Sequence, residues 1–557
     1  MSSKLNREEL AALEVGHTSV SRSLSRSMVV CFFILIFTVP VLQTILDSKN
    51  PEQQSLFDVL KSLVRISTSA TGDSLSFFTK VKQNNNLLLE NMDSFEKQLE
   101  EGSFLRAKLL VPGQRILLSL GYGNEKVYPG KESWLFYRPD MDYLMGPDFL
   151  DPNQLVQRRE GGEVWERPVQ PDPLKTIVDF KNQLARRNIQ LVLMPTPIKA
   201  SVHPELFSSG TYLPPLQNRA WQDFLEKVKQ AGVPLFDPAP VLVNYHKQTE
   251  TPVYLQTDTH WRADAMELVA EQLASYLEKR ISFSKYPILL KRRQLSITND
   301  GDIKGMLRFP VESQIYRKET VLVHPVVTDA SEMWQADPGA EILLLGDSFS
   351  NIYSLSGMGW GEGAGLGEQL SYYLQQPIDL LLQNDAGAFA TRELLAKELS
   401  RGRDRLAGKK VVIWQFATRE LASGNWKAIS MELAEKQESD FYSPLPGESR
   451  NVTATVAAVS RSPVPGSVPY KDNIVTLHLD DIRDNDTGEE FGQALIYAWG
   501  MKENTMMPLA KVRIGDQISL KLMDWEMVQA QYSSYRRSTL DDEMLELELP
   551  VWGETIQ

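Results

Sequence analysis

The chain has 557 residues, of which 42% are hydrophobic and 24% charged, a composition typical of a folded protein with more than one domain. Its net charge of −13 excludes the basic surface of most nucleic-acid-binding proteins, so no nucleic-acid partner is expected. A single cysteine, Cys31, excludes intramolecular disulfides and cysteine-based metal clusters, and the six histidines lack helical metal-ligand spacing. We therefore expect neither a metal nor another cofactor.

Residues 28–46 form an apolar run without a charge, preceded by Arg22 and Arg26 and followed by Asp47. A helix needs about 20 apolar residues to cross a bilayer, and the preceding arginines favour a cytoplasmic N-terminus. The run predicts a single-pass anchor in a bacterial inner membrane, with a cytoplasmic tail at 1–27 and the remaining chain in the periplasm. The alternatives are a buried helix and a cleaved signal peptide, although no small-residue cleavage site follows the run.

Residues 47–125 are predicted to form a helical stalk or a partner-docking region, because apolar residues recur there at helical spacing. Over 126–440, strand-length apolar runs alternate with amphipathic helical stretches. This alternation predicts an α/β domain with a parallel sheet flanked by helices. The predicted strands are 190–194, 233–236, 341–345, 378–382 and 410–416, and the predicted helices are 176–187, 221–231 and 265–277.

The C-terminal region, 441–557, begins with a stretch rich in Pro, Ser and Gly. Apolar residues then alternate with polar ones, as in half-buried strands. The predicted strands are 452–456, 474–479, 494–499, 518–522 and 545–549. They predict a small β module, either an OB-like barrel or a sandwich.

The predicted strand at 341–345 runs directly into Gly346-Asp347-Ser348. Ligands and catalytic groups gather at the carboxyl ends of strands in α/β sheets, and a glycine there permits a tight turn. A serine hydroxyl becomes a good nucleophile only when a base removes its proton. Ser348 is therefore a candidate nucleophile if the chain also supplies a base.

Asp258 and His260 supply that base. Residues two apart on an extended segment face the same side, so Asp258 can hold the His260 ring as a catalytic triad requires. Each short motif alone is more often structural, since Gly-Asp-Ser is a common turn sequence. Their joint placement in one parallel-sheet domain predicts an acyl-transfer site made by Ser348, His260 and Asp258.

These two motifs resemble the SGNH-type domain of the alginate O-acetyltransferase group, the AlgX and AlgJ type. In that domain the Asp-x-His segment also precedes the Gly-Asp-Ser segment, the reverse of ordinary GDSL esterases. The resemblance covers about 126–425. Three further segments agree: 130–136 with the opening Gly-x-x-Gly-Trp-Leu-Phe motif except at Ser133, 195–199 with Pro-x-Pro-x-Lys, and 412–416 with a late strand in which Gln415 replaces a common acidic residue.

The resemblance implies an exported polysaccharide O-acetyltransferase. The chemistry of the predicted triad adds the hypothesis that the acetyl group is carried on Ser348. It also implies a polysaccharide acceptor, as in alginate-like exopolysaccharide modification. A membrane-bound O-acyltransferase is the expected partner that supplies the acetyl group. Two alternatives remain open, an esterase that uses the same triad to remove acetyl groups and a non-catalytic polysaccharide-binding scaffold.

Four further residues are candidates for the same site. Asn384 follows the strand at 378–382 and could donate to an oxyanion, although a turn role is commoner. Lys199 and Arg419 could contact an anionic sugar, or form structural pairs. Trp261 could stack on a sugar or pack the histidine segment.

Overall fold

A computed structural model describes residues 21–47 and 104–556 apart from short gaps, and the chain divides into two compact units, 1–116 and 117–557. The gaps are 162–167, 211, 285–287, 308, 310–314, 385–386, 436–439, 445–447, 464, 466–467, 469, 526–527, 530–531, 533–534 and 543.

Helix α1 (Arg22–Asp47) contains the predicted anchor at 28–46. No helix in the described part of the chain combines the length and the hydropathy required of a membrane span. The anchor therefore stays a prediction. Helix α2 (Phe104–Ser119) lies in the predicted helical region, of which residues 48–103 fall outside the described residues, as do residues 1–20 of the predicted tail.

The second unit begins with an α/β domain. Its strands are β1 (Val127–Pro129), β2 (Leu135–Tyr137), β3 (Gln190–Thr196), β4 (Leu290–Arg292), β5 (Leu295–Asn299), β6 (Glu319–Val323), β7 (Val326–Thr328), β8 (Ile342–Gly346), β9 (Asp379–Leu382) and β10 (Val411–Ala417). Its helices are α3 (Arg138–Met145), α4 (Pro152–Glu160), α5 (Pro173–Ala185), α6 (Lys199–Val202), α7 (Pro204–Phe207), α8 (Trp221–Gln230), α9 (Ala239–Thr249), α10 (Ala263–Glu278), α11 (Asp302–Met306), α12 (Ser348–Asn351), α13 (Leu366–Leu374), α14 (Ala390–Ser400) and α15 (Glu420–Ser423).

The central sheet has the strand order β3-β10-β8-β9, and every neighbouring pair is parallel. Every residue of β8 and β10 is buried. Because successive side chains of a strand point to opposite faces, both faces of this sheet are covered. The predicted parallel α/β architecture is confirmed, except that the predicted strand at 233–236 contributes a single parallel bridge from Leu235 to Leu193.

The C-terminal module is a barrel. Its strands are β11 (Ser449–Val459), β12 (Asn473–Asp484), β13 (Glu490–Lys502), β14 (Thr505–Met506), β15 (Gln517–Asp524) and β16 (Pro550–Thr555). The sheet order is β12-β11-β15-β16-β13-β14, and β12 also pairs with β13, which closes five strands into a ring. Strands β13 and β16 are parallel and the other pairs antiparallel. This is the strand pairing of an OB-fold, so the barrel prediction is confirmed and the sandwich alternative is not.

The predicted strand at 545–549 is wrong. Residues Leu545–Leu547 form a 3₁₀ turn, and the last strand is β16, which begins at Pro550. The Asp542 carboxylate accepts the backbone N–H groups of Met544 and Leu545 at 2.9 and 3.4 Å, which favours a turn at this point. The alternating leucines therefore lie in and beside a 3₁₀ turn and not on a strand.

Candidate active site

The turn after β8 is held by the Asp347 side chain. Its Oδ1 accepts the Phe349 backbone N–H at 2.9 Å and so caps α12, while its Oδ2 accepts the N–H of Ala417 in β10 at 2.8 Å. A Cβ at Gly346 would lie 2.4 Å from the Ser350 Oγ, so glycine is required by this close approach. These contacts fix Ser348 as the first residue of α12, at the carboxyl end of β8.

Gln415 stands where an acidic residue is common in the family that the sequence resembles, and its hydrogen bonds explain this difference. Its Oε1 accepts the Asp347 N–H at 2.9 Å and the Ser350 hydroxyl at 2.6 Å, and its Nε2 donates to Asp347 Oδ1 at 2.8 Å and Thr196 Oγ1 at 3.0 Å. An ionised carboxylate has no donor and would face the Asp347 carboxylate directly. The amide can both donate and accept, which suits this position.

Asp258 and His260 form a buried pair. The His260 Nδ1 lies 2.6 Å from Asp258 Oδ1, and that oxygen also accepts the His260 backbone N–H at 3.0 Å. The other oxygen, Oδ2, accepts the Trp360 indole N–H at 2.9 Å and the Asp302 backbone N–H at 3.1 Å. The carboxylate therefore has four hydrogen bonds, and the ring is held with Nε2 available for chemistry.

The pKa of Asp258 is lowered and that of His260 is raised, as expected for a carboxylate that supports a histidine base. Burial opposes ionisation of Asp258, but the His260 charge and the hydrogen bonds outweigh burial and lower the pKa of the carboxyl to about 2. Burial acts to lower the pKa of His260, whereas the Asp258 charge and hydrogen bond act more strongly and raise it. Asp258 thus stays charged and stabilises the imidazolium.

Asp302 is a second carboxylate of this site, and the sequence analysis missed it. Its Oδ1 accepts the Thr259 N–H at 2.7 Å, its Oδ2 accepts the Thr259 hydroxyl at 2.8 Å, and Oδ2 lies 3.9 Å from His260 Nδ1. Burial and the nearby Asp258 charge raise the pKa of Asp302 to about 7. No local pattern in the sequence marks Asp302, because its contacts with the histidine segment are long-range.

The histidine segment is clamped to α12. The Trp261 indole N–H donates to the Phe349 carbonyl at 3.0 Å, and the Tyr353 hydroxyl donates to the Trp261 carbonyl at 2.7 Å. The His260 ring lies against Phe349 with 4.9 Å between the ring centroids. Ser348, the neighbour of Phe349, is 5% exposed.

The His260 Nε2 atom is buried and has no hydrogen-bond partner among the described residues. Ser348 and His260 are therefore not hydrogen-bonded to each other in this structure. Catalytic hydrogen bonds often tighten only when substrate binds. The structure therefore brings the segments of the predicted triad together, with the Asp258–His260 pair already formed.

Trp261 and Asn384 are both buried. Trp261 is 0% exposed, which places it in the packing role rather than on a sugar. The Asn384 oxygen accepts from the Asn351 amide at 3.1 Å, and its amide group lies 3.3 Å from the Met358 sulfur. Asn384 therefore supports α12, and its oxyanion role stays a prediction.

Lys199 and Arg419 adopt the structural alternative. The Lys199 ammonium donates to the carbonyls of Leu135 and Gln256 at 2.8 and 3.3 Å, which ties β2 to the segment that leads into Asp258. Arg419 donates to the buried Asp140 carboxylate at 3.0 Å. Both cations are thus already engaged within the protein.

Among the described residues, two side-chain groups have the composition of a metal site, and the hydrogen bonds of each leave it poorly suited to an ion. In the first group, Asp258, His260 and Asp302, the hydrogen bonds described above already occupy the carboxylates and Nδ1. In the second, His203, Glu205 and His246, the His203 Nε2 accepts the Val253 N–H at 3.1 Å. His203 Nδ1 therefore carries the proton and donates to Glu205 at 3.1 Å, so it has no lone pair for a metal.

The family model for the SGNH hydrolase-like domain of the acetyltransferase AlgX matches residues 127–418, more than half of the chain. The chain belongs to this family. The matched segment coincides with the α/β domain from the start of β1 to the end of β10. The C-terminal barrel lies outside the matched segment.

Several similar proteins carry the description "probable alginate O-acetylase AlgJ". The protein from Azotobacter vinelandii is 37% identical over 105 residues, which are 18% of this chain and 26% of that protein. The protein from Pseudomonas syringae pv. tomato is 24% identical over 345 residues, which are 59% of this chain and 80% of that protein. The solved O-acetyltransferase domain of Pseudomonas putida AlgJ is 20% identical with a TM-score of 0.40, over 53% of this chain and 92% of that domain. The chain thus matches about a quarter of the first relative's length.

Replacing Asp258 with Asn is expected to lower the pKa of His260, because the negative charge that favours the imidazolium is lost. The titration of the histidine ring signals by NMR measures this shift. The matched control is Glu267→Gln, since Glu267 pairs with His324 at 2.7 Å and not with His260. A His260 pKa that is equal in the parent protein and in Asp258→Asn would contradict the pairing described here.

Proposed function

We propose that this protein is a polysaccharide O-acetyltransferase that carries the acetyl group on Ser348. The observation that supports this most is the buried Asp258–His260 pair, whose free Nε2 lies on a ring packed against the residue after Ser348. The family to which the chain belongs is described as an acetyltransferase domain on an SGNH hydrolase-like fold. The names of the AlgJ relatives favour an acidic exopolysaccharide such as alginate as the acceptor.

The proposed reaction has two steps. His260 Nε2 takes the Ser348 hydroxyl proton, and Ser348 Oγ attacks the acetyl carbonyl of the donor. The tetrahedral intermediate collapses, the donor's leaving group departs with the proton from His260, and acetyl-Ser348 remains. A sugar hydroxyl then gives its proton to His260 and attacks the acetyl carbon, and Ser348 leaves with that proton. Asp258 stabilises the imidazolium in both steps.

The start of α12 supplies a donor for the oxyanion. The first N–H groups of a helix have no partner within the helix, and Ser348 is the first residue of α12. The N–H of Phe349 is already bonded to Asp347. The Ser348 N–H is therefore the group that we assign to the oxyanion, where loss of one donor typically costs about 10²–10³ in rate.

We also propose that α1 anchors the chain in the bacterial inner membrane, with the catalytic domain in the periplasm and a membrane-bound O-acyltransferase as the acetyl source. The support is the set of large apolar side chains that α1 exposes, among them Phe32, Phe33 and Phe37. Retention in the membrane fraction after an alkaline wash, and loss of retention when residues 1–47 are deleted, are the expected results. Release of the full-length chain by that wash would contradict the anchor.

Ser348→Ala is expected to abolish both the hydrolysis of a small acetyl ester and acetyl transfer to a polysaccharide, because the nucleophile is lost. The control is Ser296→Ala, an exposed serine on β5, which should keep full activity. Release of the ester's leaving group and acetyl incorporation into the polymer are measured in parallel. Full activity of Ser348→Ala would refute the assignment, and ester cleavage without transfer in the parent protein would favour the esterase alternative.

The pH profile should report on His260. The base works only when neutral, so kcat/KM should fall as the pH drops through the pKa of His260. Burial lowers that pKa, but the charges of Asp258 and Asp302 outweigh burial and raise it. Asp302→Asn should therefore move the acidic limb of the profile to lower pH, while Asp300→Asn, which removes the 2.7 Å ion pair with Lys304, should leave it in place. A shift to higher pH in Asp302→Asn would contradict this electrostatic account.

A further inference from the structure

A segment rich in glycine joins α12 to α13. From Gly357 to Gly367 every second residue is glycine, in the sequence Gly-Met-Gly-Trp-Gly-Glu-Gly-Ala-Gly-Leu-Gly. Residues 356–363 of this segment are called the glycine loop below. Because glycine gives the backbone more conformational freedom than any other residue, such a loop keeps one conformation only where neighbouring structure contacts it. Its contacts therefore decide where its larger side chains lie.

Trp360 of the glycine loop contacts the Asp258–His260 pair. The Trp360 side chain is 0% exposed, and its indole N–H donates to Asp258 Oδ2, the oxygen that does not face the His260 ring. The flanking residues Gly359 and Gly361 have φ angles of +80° and +105°, which residues with a Cβ rarely adopt. These two glycines permit the turns that direct the Trp360 side chain towards Asp258.

Met358 of the same loop contacts the support of α12. Its sulfur lies 3.3 Å from Asn384 Nδ2, and Asn384 Oδ1 accepts from the Asn351 amide at 3.1 Å. Asn351 is the last residue of α12, which begins with Ser348. The glycine loop therefore touches the supports of both the predicted base and the predicted nucleophile.

The barrel contacts the first residues of the loop. The Tyr535 hydroxyl is hydrogen-bonded to the Ser356 side chain. A Cβ at Gly357 would lie 2.2 Å from Asp472 Oδ2, so this carboxylate packs directly on the loop backbone. Asp472 immediately precedes β12, and Tyr535 lies in the connection between β15 and β16. Two separate parts of the barrel thus hold residues 356–357.

Strands β5 and β6 contact the loop on either side of Trp360. A Cβ at Gly359 would lie 2.2 Å from Asn299 Nδ2 of β5, and a Cβ at Gly361 would lie 3.5 Å from a methyl group of Val323 in β6. The loop is therefore held by the barrel at its start and by these two strands around Trp360.

Tyr535 is itself anchored in the barrel. Its ring packs edge-on against Trp499 of β13, with 4.9 Å between the ring centroids, and Trp499 packs on Trp552 of β16 at 5.6 Å. The hydroxyl that meets Ser356 is therefore presented from a fixed aromatic cluster. Ordinary packing between two domains would end at this contact, whereas here the chain continues over four residues to the indole that holds Asp258.

We propose that Tyr535 of the barrel is a positioning residue for the Asp258–His260 pair, and that it acts through the glycine loop and Trp360. The barrel then supports the chemistry of the α/β domain even when the substrate is a small ester. The effect on rate rests on the proposed function, whereas the effect on the His260 ring can be measured without any activity.

Trp360→Phe defines the size of the effect. Asp258 keeps three of its four hydrogen bonds in this variant, so the pair should persist but be held less firmly. We expect kcat for a small acetyl ester to fall by about 10-fold with little change in KM, because the buried indole cannot touch substrate. Loss of the indole N–H leaves the Asp258 charge to act more fully on the ring, so the acidic limb of the pH profile should move to higher pH.

Tyr535→Phe removes one hydroxyl oxygen and should produce the same changes in smaller measure. Introduced into Trp360→Phe, it should have no further effect, because the route through the indole is already lost. Tyr532→Phe is the matched control, since the Tyr532 ring packs on the same Trp499 ring at 5.2 Å. Trp334→Phe is the second control, because its buried indole donates to Ser371 at 2.8 Å. Both controls should leave kcat and the acidic limb unchanged.

The decisive measurement is the NMR titration of the His260 ring in the full-length protein and in these variants, beside the ester assay. We expect the pKa of His260 to rise in Trp360→Phe and in Tyr535→Phe, and to stay at the parent value in both controls. An unchanged pKa of His260 in Tyr535→Phe, or effects of the two variants that simply multiply in the double variant, would overturn the inference. A parent protein without acyl-transfer activity in which Tyr535→Phe still shifts the ring titration would instead refute the proposed function alone.

Discussion

The buried carboxylate of Asp258 is the constraint around which the candidate active site is built. It accepts four hydrogen bonds, from the ring and the backbone of His260, from the Trp360 indole and from the Asp302 backbone. A buried charge is tolerated only when it is paired and fully hydrogen-bonded. Trp360 follows α12 and Asp302 begins α11, so satisfying one carboxylate joins three separate parts of the chain.

A similar arrangement holds the turn that carries Ser348, the predicted nucleophile. Asp347 links the first turn of α12 to β10, and Gln415 of β10 returns hydrogen bonds to Asp347 and Ser350. The two sides meet where Trp261 and His260 contact Phe349. The turn on the sheet is therefore held firmly, while His260 Nε2 has no hydrogen-bond partner among the described residues. Rigid support with one unsatisfied atom is what acid–base catalysis requires.

Much of this could be predicted from the sequence. The apolar runs at β3, β8, β9 and β10 are continuous because both faces of the sheet are covered, and continuous runs are easily read. The Asp258–His260 pair was predictable because the two residues are local neighbours on an extended segment.

The contributions of Asp302 and Trp360 were not predictable, because their roles depend on long-range contacts with Asp258 that no local pattern encodes. The misassigned strand at 545–549 has a similar cause. Its alternating leucines fit a strand, but the Asp542 cap and the neighbouring β16 decide the local structure. The contacts between the glycine loop and the barrel also depend on how distant segments pack, so only the barrel itself could be anticipated.

Mass spectrometry of the covalent intermediate shows whether an acetyl group passes through Ser348. The protein is mixed with an activated acetyl ester, quenched in acid within the first turnover, and digested. We expect a peptide containing Ser348 that is heavier by one acetyl group, and we expect this label to disappear when an acceptor oligosaccharide is added before the quench. Acetylation of another residue that turns over at the catalytic rate, or transfer without labelling of Ser348, would contradict a covalent route through Ser348.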